Sequence, residues 1–203
     1  MHYWRTDSFD KLSDLQSALA REEALHFYRE YLRFLEQGLR PLALRQIEPL
    51  LGKLHSLPES EQRSLASLLL HACEHEPGHR LLPHPLYEGF VRPVLDRWKV
   101  ELPNDPEPLR WTASIDDLAR ALSLEPECDY TRRKLILRIL EFVGFSTHEL
   151  PDGYLGDVAE DLDLIALARR EAGLFLDTEI RAKYLKMIEE EASEIATYLG
   201  PQQ

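Results

Sequence analysis

From Ile180 to Leu199 the apolar residues Ile180, Tyr184, Met187, Ile188, Ala192, Ile195 and Leu199 recur at intervals of three and four, and Gly200-Pro201 closes the run. Only an α-helix gathers residues so spaced onto one face, and that face must be buried against other helices. The same period returns along most of the chain, whereas strand signals are nearly absent. Asn104 is the sole asparagine, and Asp152-Gly153, the one candidate hairpin turn, leads through Tyr-Leu-Gly-Asp into another helical pattern. The expected fold is all-α: about eight antiparallel helices, as an irregular bundle or a helical-repeat-like stack.

Punctuation residues divide the chain. A first helical region spans about Ser8 to Gln37, with a break near Ala20, and Gly38 stops it. A second helix follows Pro41 and carries Pro49, which predicts a kink or an early break. Ser56-Leu-Pro-Glu59 reads as a capping box for a third helix that runs to Pro77-Gly78. A helix over Leu86–Val100 is bent by Pro93, and Pro103, Pro106 and Pro108 then forbid regular structure. Further on, Ser114-Ile-Asp-Asp117 opens a helix that Pro126 closes. Asp129 caps another that ends at Gly144, Phe145 to Gly156 is a loop, and Asp157-Val-Ala-Glu160 caps a helix to about Phe175.

A chain of 203 residues fits one domain, 1–203; in the two-lobed variant, 1–100 and 111–203 are joined by the proline-rich linker 101–110. Trp98 and Trp111 flank that linker and are expected to pin it to the helices. Cys73 and Cys128 match no disulfide framework, which fits a reducing compartment. The amino terminus lacks the apolar core of a secretory signal, and Leu65–Ala72, the longest apolar stretch, is too short to span a bilayer. A cytoplasmic protein is expected.

The formal charge of −12 is unevenly spread. Residues 1–110 hold 14 Lys/Arg against 17 Asp/Glu, and residues 111–203 hold 10 against 19. Between Ile139 and Ala168 seven acids occur without one lysine or arginine. Such a surface repels phosphate backbones, so nucleic acid is not an expected partner, and it attracts a basic protein.

One segment carries a family resemblance. Ser114, Leu118, Ala121 and Pro126, ending in Ala-Leu-Ser-Leu-Glu-Pro, resemble the second helix and closing proline of a tetratricopeptide repeat. The likeness covers residues 114–126, and no neighbouring segment repeats it at the roughly 34-residue spacing of such arrays. It implies stacked helical pairs and protein binding.

Two constellations hold reactive side chains. His71-Ala-Cys-Glu74-His75, with His79 and His84 beyond it, puts two imidazoles one helical turn apart on one face, a spacing that suits zinc ligation. The order H-x-x-E-H resembles that of the inverted zinc metallopeptidases, which implies His71 and His75 as ligands and Glu74 as the base. The plainer reading is the polar end of a helix running into a proline loop. The second constellation is the loop after the helix near Gly144, with His148, Glu149, Asp152, Tyr154 and Asp157, continued by Glu160 and Asp161. Proline and glycines fix its path, and its acids and aromatics suit a protein-recognition surface. Against that, Asp157 caps, Tyr154 and Leu155 pack inward, and the acids are merely solvated.

No Gly-x-Ser-x-Gly, phosphate loop or dinucleotide fingerprint occurs, and no cofactor is expected. The sequence therefore points to a non-catalytic protein-interaction module with an acidic C-terminal surface for a basic protein partner. An immunity-type inhibitor of a basic toxin is a protein of that physical kind. The alternative is a metal-dependent hydrolase using His71, Glu74 and His75.

Overall fold

The computed structural model describes residues 22–74, 81–112, 114–150 and 152–200, without the side chains of 73 and 74. Among them every regular element is helical and none is a strand. The helices are α1 (His26–Glu36), α2 (Arg40–Leu44), α3 (Ile47–His55), α4 (Glu59–Glu74), α5 (Arg92–Glu101), α6 (Pro106–Arg110), α7 (Ile115–Leu124), α8 (Asp129–Thr147), α9 (Val158–Gly173) and α10 (Thr178–Leu199). Eight have nine residues or more, the number the periodicity predicts. No helix among the described residues is long and apolar enough to cross a membrane. The chain divides into two compact units, 1–103 and 104–203.

In the first unit Leu25, Tyr28, Leu32, Leu50, Leu54, Leu69, Leu86 and Phe90 are fully buried. The Tyr28 hydroxyl donates to the Leu81 carbonyl at 2.6 Å, so the one polar atom of a core aromatic is satisfied. Gly38, at φ 73°, supplies the left-handed residue that ends α1. Pro49 produces the early break: α2 stops at Leu44, and Pro49 falls in the first turn of α3, where a missing N–H costs nothing.

Ser56 does not cap α4. Its Oγ donates to the Lys53 carbonyl at 2.7 Å, so it closes α3, and Pro58 separates it from the next helix. The bend expected at Pro93 takes a different form. His84–Leu86 and a π-helical turn, Tyr87–Val91, lead without a gap into α5, and the Arg92 amide reaches back to the Tyr87 carbonyl. Pro93 has no N–H for Gly89, four residues earlier. The ring nitrogen Nε2 of His55 lies 2.9 Å from that carbonyl and takes the proline's place as its partner. His55→Ala should therefore lower stability by about 0.5–1 kcal/mol, read by chemical denaturation. Removing an equally exposed histidine without such a bond, His84, should cost less.

In the second unit α8, α9 and α10 pack on one another, and α7 packs on α8. Ile136, Ile139, Val143, Ile165, Ala168, Phe175, Ile188 and Ile195 fill the space between them. Pro106 and Pro108 do not forbid structure: they occupy the first turn of α6, where Asp105 caps by accepting the Glu107 amide at 3.0 Å. Proline tolerates that turn because its N–H has no helical partner anyway. Trp111 then pins α6, donating from Nε1 to Glu107 at 3.0 Å while its ring lies 5.5 Å from Tyr130 of α8.

Asp129 is not the cap of α8. Cys128 holds that position, and Asp129 pairs with Arg132. Nor does α8 end at Gly144; it continues to Thr147, with Ser146 and Thr147 both buried. A glycine inside a helix costs about 1 kcal/mol, yet α8 carries on through Gly144 for most of another turn, which holds the Ser146 carbonyl that accepts the Leu155 amide at 2.9 Å. The caps at Ser114, Asp157 and Asp177 each accept amides of their own first turn.

Candidate functional site

The end of α8 is where the second unit changes character, from apolar packing to buried polar contact. Tyr154, in the loop between α8 and α9, folds its ring inward and stacks on Tyr198 of α10 at 5.2 Å. Its hydroxyl donates to Asp161 Oδ2 at 2.5 Å. Asp161 is completely buried, and its second oxygen, Oδ1, has no hydrogen-bond partner among the described residues. Burial, then the adjoining Asp161 carboxylate, push the Tyr154 hydroxyl above its usual pKa of 10.0. The phenol is therefore a fixed donor.

The loop crosses this pair closely. The Leu155 amide donates to the Ser146 carbonyl at 2.9 Å, which brings Gly156 onto the Ser146 side chain. A Cβ at Gly156 would lie 2.2 Å from Ser146 Oγ and 2.9 Å from Asp161 Oδ2. Glycine is required here for space. Asp157 ends the loop by accepting the Ala159 amide at 2.8 Å and that of Glu160 at 3.1 Å.

Beside this buried cluster runs an open groove of about 1160 Å³. Thr147, His148 and Leu150 form one wall, and the exposed stripe of α10, from Lys186 to Tyr198, forms the other. Its charge is mostly negative. Glu189 is held by Arg169 of α9 through two contacts, at 2.7 and 2.8 Å, and Glu190 lies 3.8 Å from Lys186. Glu194 has no cation within ion-pair distance among the described residues. Glu191 faces Gly144, and its buried Oε2 has no partner among the described residues. Burial, with Glu194 and Glu190 adding to it, raises its pKa.

That shift fixes a pH dependence. A carboxylate whose pKa rises on folding opposes folding when ionised, fully above its folded pKa, and the opposition fades as pH falls toward the ordinary 4.5. Glu191→Gln should stabilise the protein at pH 7 by about 0.5 kcal/mol, a typical like-charge cost on a helix. Melting curves at pH 7 and pH 4 check this: the gain should shrink at the lower pH.

The basic residues of this unit lie elsewhere or are engaged. Arg132 is buried, with Asp129 and the Pro126 carbonyl as partners, and the Lys134 amine sits 4.6 Å over the Trp111 ring. Arg181 donates to the Phe175 carbonyl. Among the described residues, Lys186 and Arg169 are the cations paired with the groove's acids.

The seven residues singled out from the sequence do not share one surface. His148 lines the groove; its Nε2 lies 2.9 Å from Glu149, which is exposed, as is Asp152. Tyr154 is half-buried, and Asp157 is occupied as a cap. Glu160 lines a separate depression of about 280 Å³ with Ile115, Arg138, Phe142 and Leu164. Asp161 needs correcting as a surface residue: wholly buried, it braces Tyr154 from within. Leu155, expected inside, is 52% exposed.

The α10 wall was the part that sequence reasoning missed. Its signal was present: Lys186, Glu190, Ser193 and Thr197 recur at helical spacing, offset from buried Tyr184, Ile188 and Ile195. At the other constellation, His71 is exposed near the end of α4. His75, His79 and the Glu74 side chain lie outside the described residues. Among the described residues no group of three or more His, Cys, Asp or Glu is placed to hold a metal ion. Compared with protein-family models, curated proteins and solved structures, the chain matches none.

Proposed function

We propose that this chain is a non-catalytic protein-binding module whose acidic groove, between the end of α8 and α10, engages a basic protein. The observation that carries the reading is the groove itself: about 1160 Å³ of open concavity with Glu190 and Glu194 on one helical wall. An open, charged groove of this size suits a macromolecular segment. Glu194, which has no cation within ion-pair distance among the described residues, gains from an approaching positive group. The resemblance of residues 114–126 to a tetratricopeptide helix points the same way. An immunity-type inhibitor that neutralises a basic toxin is the role we favour within this class.

The test is capture on the immobilised chain from a lysate of its own host, at low and at high salt. The expected result is a basic protein, retained at low salt, released by salt and lost on a Glu190→Gln/Glu194→Gln variant. Retention of acidic proteins alone, or of a partner indifferent to both salt and the variant, would contradict the reading.

A further inference from the structure

Resting on that reading, we infer that the occupant of the groove is an amphipathic α-helix of the partner, carrying Lys or Arg residues one turn apart, rather than an extended peptide. The backbone decides between the two. An extended chain leaves its amides and carbonyls to be satisfied by its host, which normally offers a sheet edge. This groove has no such edge. The α10 wall is continuous helix through Leu199, and the opposite wall closes on itself: Leu150 N–H donates to Thr147, and Asp152 and Gly153 N–H both donate to Glu149. A helix satisfies its own backbone and needs only side-chain contacts.

The side-chain pattern agrees. Glu190 and Glu194 are one turn apart, so their carboxylates match cations spaced i and i+4 on a helix lying along α10. Leu150 and Tyr198, the latter 46% exposed, provide an apolar strip beside the acids. An amphipathic helix can cover charge and strip together, with its cations beside its apolar face. From Lys186 to Tyr198 the wall is about 18 Å long at 1.5 Å per residue, room for roughly three turns of partner helix.

Two fluorescent peptides of about 14 residues test this against the full chain by anisotropy. One is hydrocarbon-stapled as a helix, since so short a helix is marginal alone, with lysines at i and i+4 beside leucines. The other has the same charge and leucine content but is unstapled, with a central proline. The stapled peptide should bind at least about tenfold more tightly than its twin, a difference of about 1.4 kcal/mol. It should lose about tenfold on Glu190→Gln/Glu194→Gln, and less than about twofold on Glu127→Gln or Asp163→Asn, acids outside the groove. Equal binding of the two peptides, with the groove variant still weakened, would overturn the helical occupant and leave the basic-partner reading standing. Failure of both peptides to bind at low salt, or binding unaffected by the groove variant, would overturn the reading itself.

Discussion

Replacing Gly156 with alanine is expected to destabilise the protein by about 2 kcal/mol, the middle of the range for overpacking a filled interior. The added methyl would meet Ser146 Oγ at 2.2 Å and Ser146 Cβ at 2.7 Å, separations no relaxed structure holds. Ser146 cannot simply turn away, because it is 2% exposed and sits in the last turns of α8. The loop must lift instead, which strips the Leu155 amide from the Ser146 carbonyl and loosens Tyr154 from Asp161. Thermal unfolding should show a loss of roughly 4–8 °C. Ser146→Ala should rescue only part of it, since the Cβ contact remains. A fully stable Gly156→Ala protein would mean that the loop does not lie on α8 as described.

Tyr154→Phe is the second large effect. Among the described residues it removes the one hydrogen bond made by the Asp161 carboxylate, whose other oxygen has none, and so leaves a completely buried carboxylate unpartnered. Losing a hydrogen bond to a buried charge costs about 2–3 kcal/mol. Asp161→Asn in the Tyr154→Phe background should recover part of the loss, because a neutral amide is less costly to bury than a lone charge. The same pair sets alkaline behaviour. Tyr154 has a folded pKa above 10.0, so the unfolded chain ionises first, and stability falls as pH rises past 10. Urea midpoints at pH 8 and pH 10.5 should differ less in Tyr154→Phe than in the wild type.

The helices were legible because their cause is local. The spacing that gathers Ile180, Tyr184, Ile188 and Ile195 onto one stripe is the spacing that buries Tyr184, Ile188 and Ile195 in the core. Asp157 could be read as a cap because an Asp before a helical run has few other uses. The errors came where a residue's role is set from a distance. Ser56 serves the helix behind it, the turn beyond Gly144 holds the Ser146 carbonyl that the Leu155 amide needs, and the carbonyl that Pro93 leaves open is met by His55, thirty-eight residues earlier.

Of the candidate site, the α8–α9 loop was visible as a run of acids and glycines, but its depth was not. Nothing in the spelling of Asp161 distinguishes it from solvated Asp163; Tyr154, seven residues earlier, makes the difference. The second wall escaped notice because Glu190 and Glu194 read as an ordinary solvated helix face until α10 lies beside His148 and Leu150. Charge asymmetry pointed to the half of the chain that holds the proposed groove without locating the groove itself.

Hydrogen–deuterium exchange of the full chain, with and without saturating stapled lysine peptide, bears most directly on where binding occurs. Protection should gather at Thr147–Leu150 and along Lys186–Tyr198, with little change at α7 or at the Ile115, Phe142 and Glu160 depression. Protection confined to that depression, or to residues 22–101, would contradict an acidic groove on α10 as the surface this protein uses.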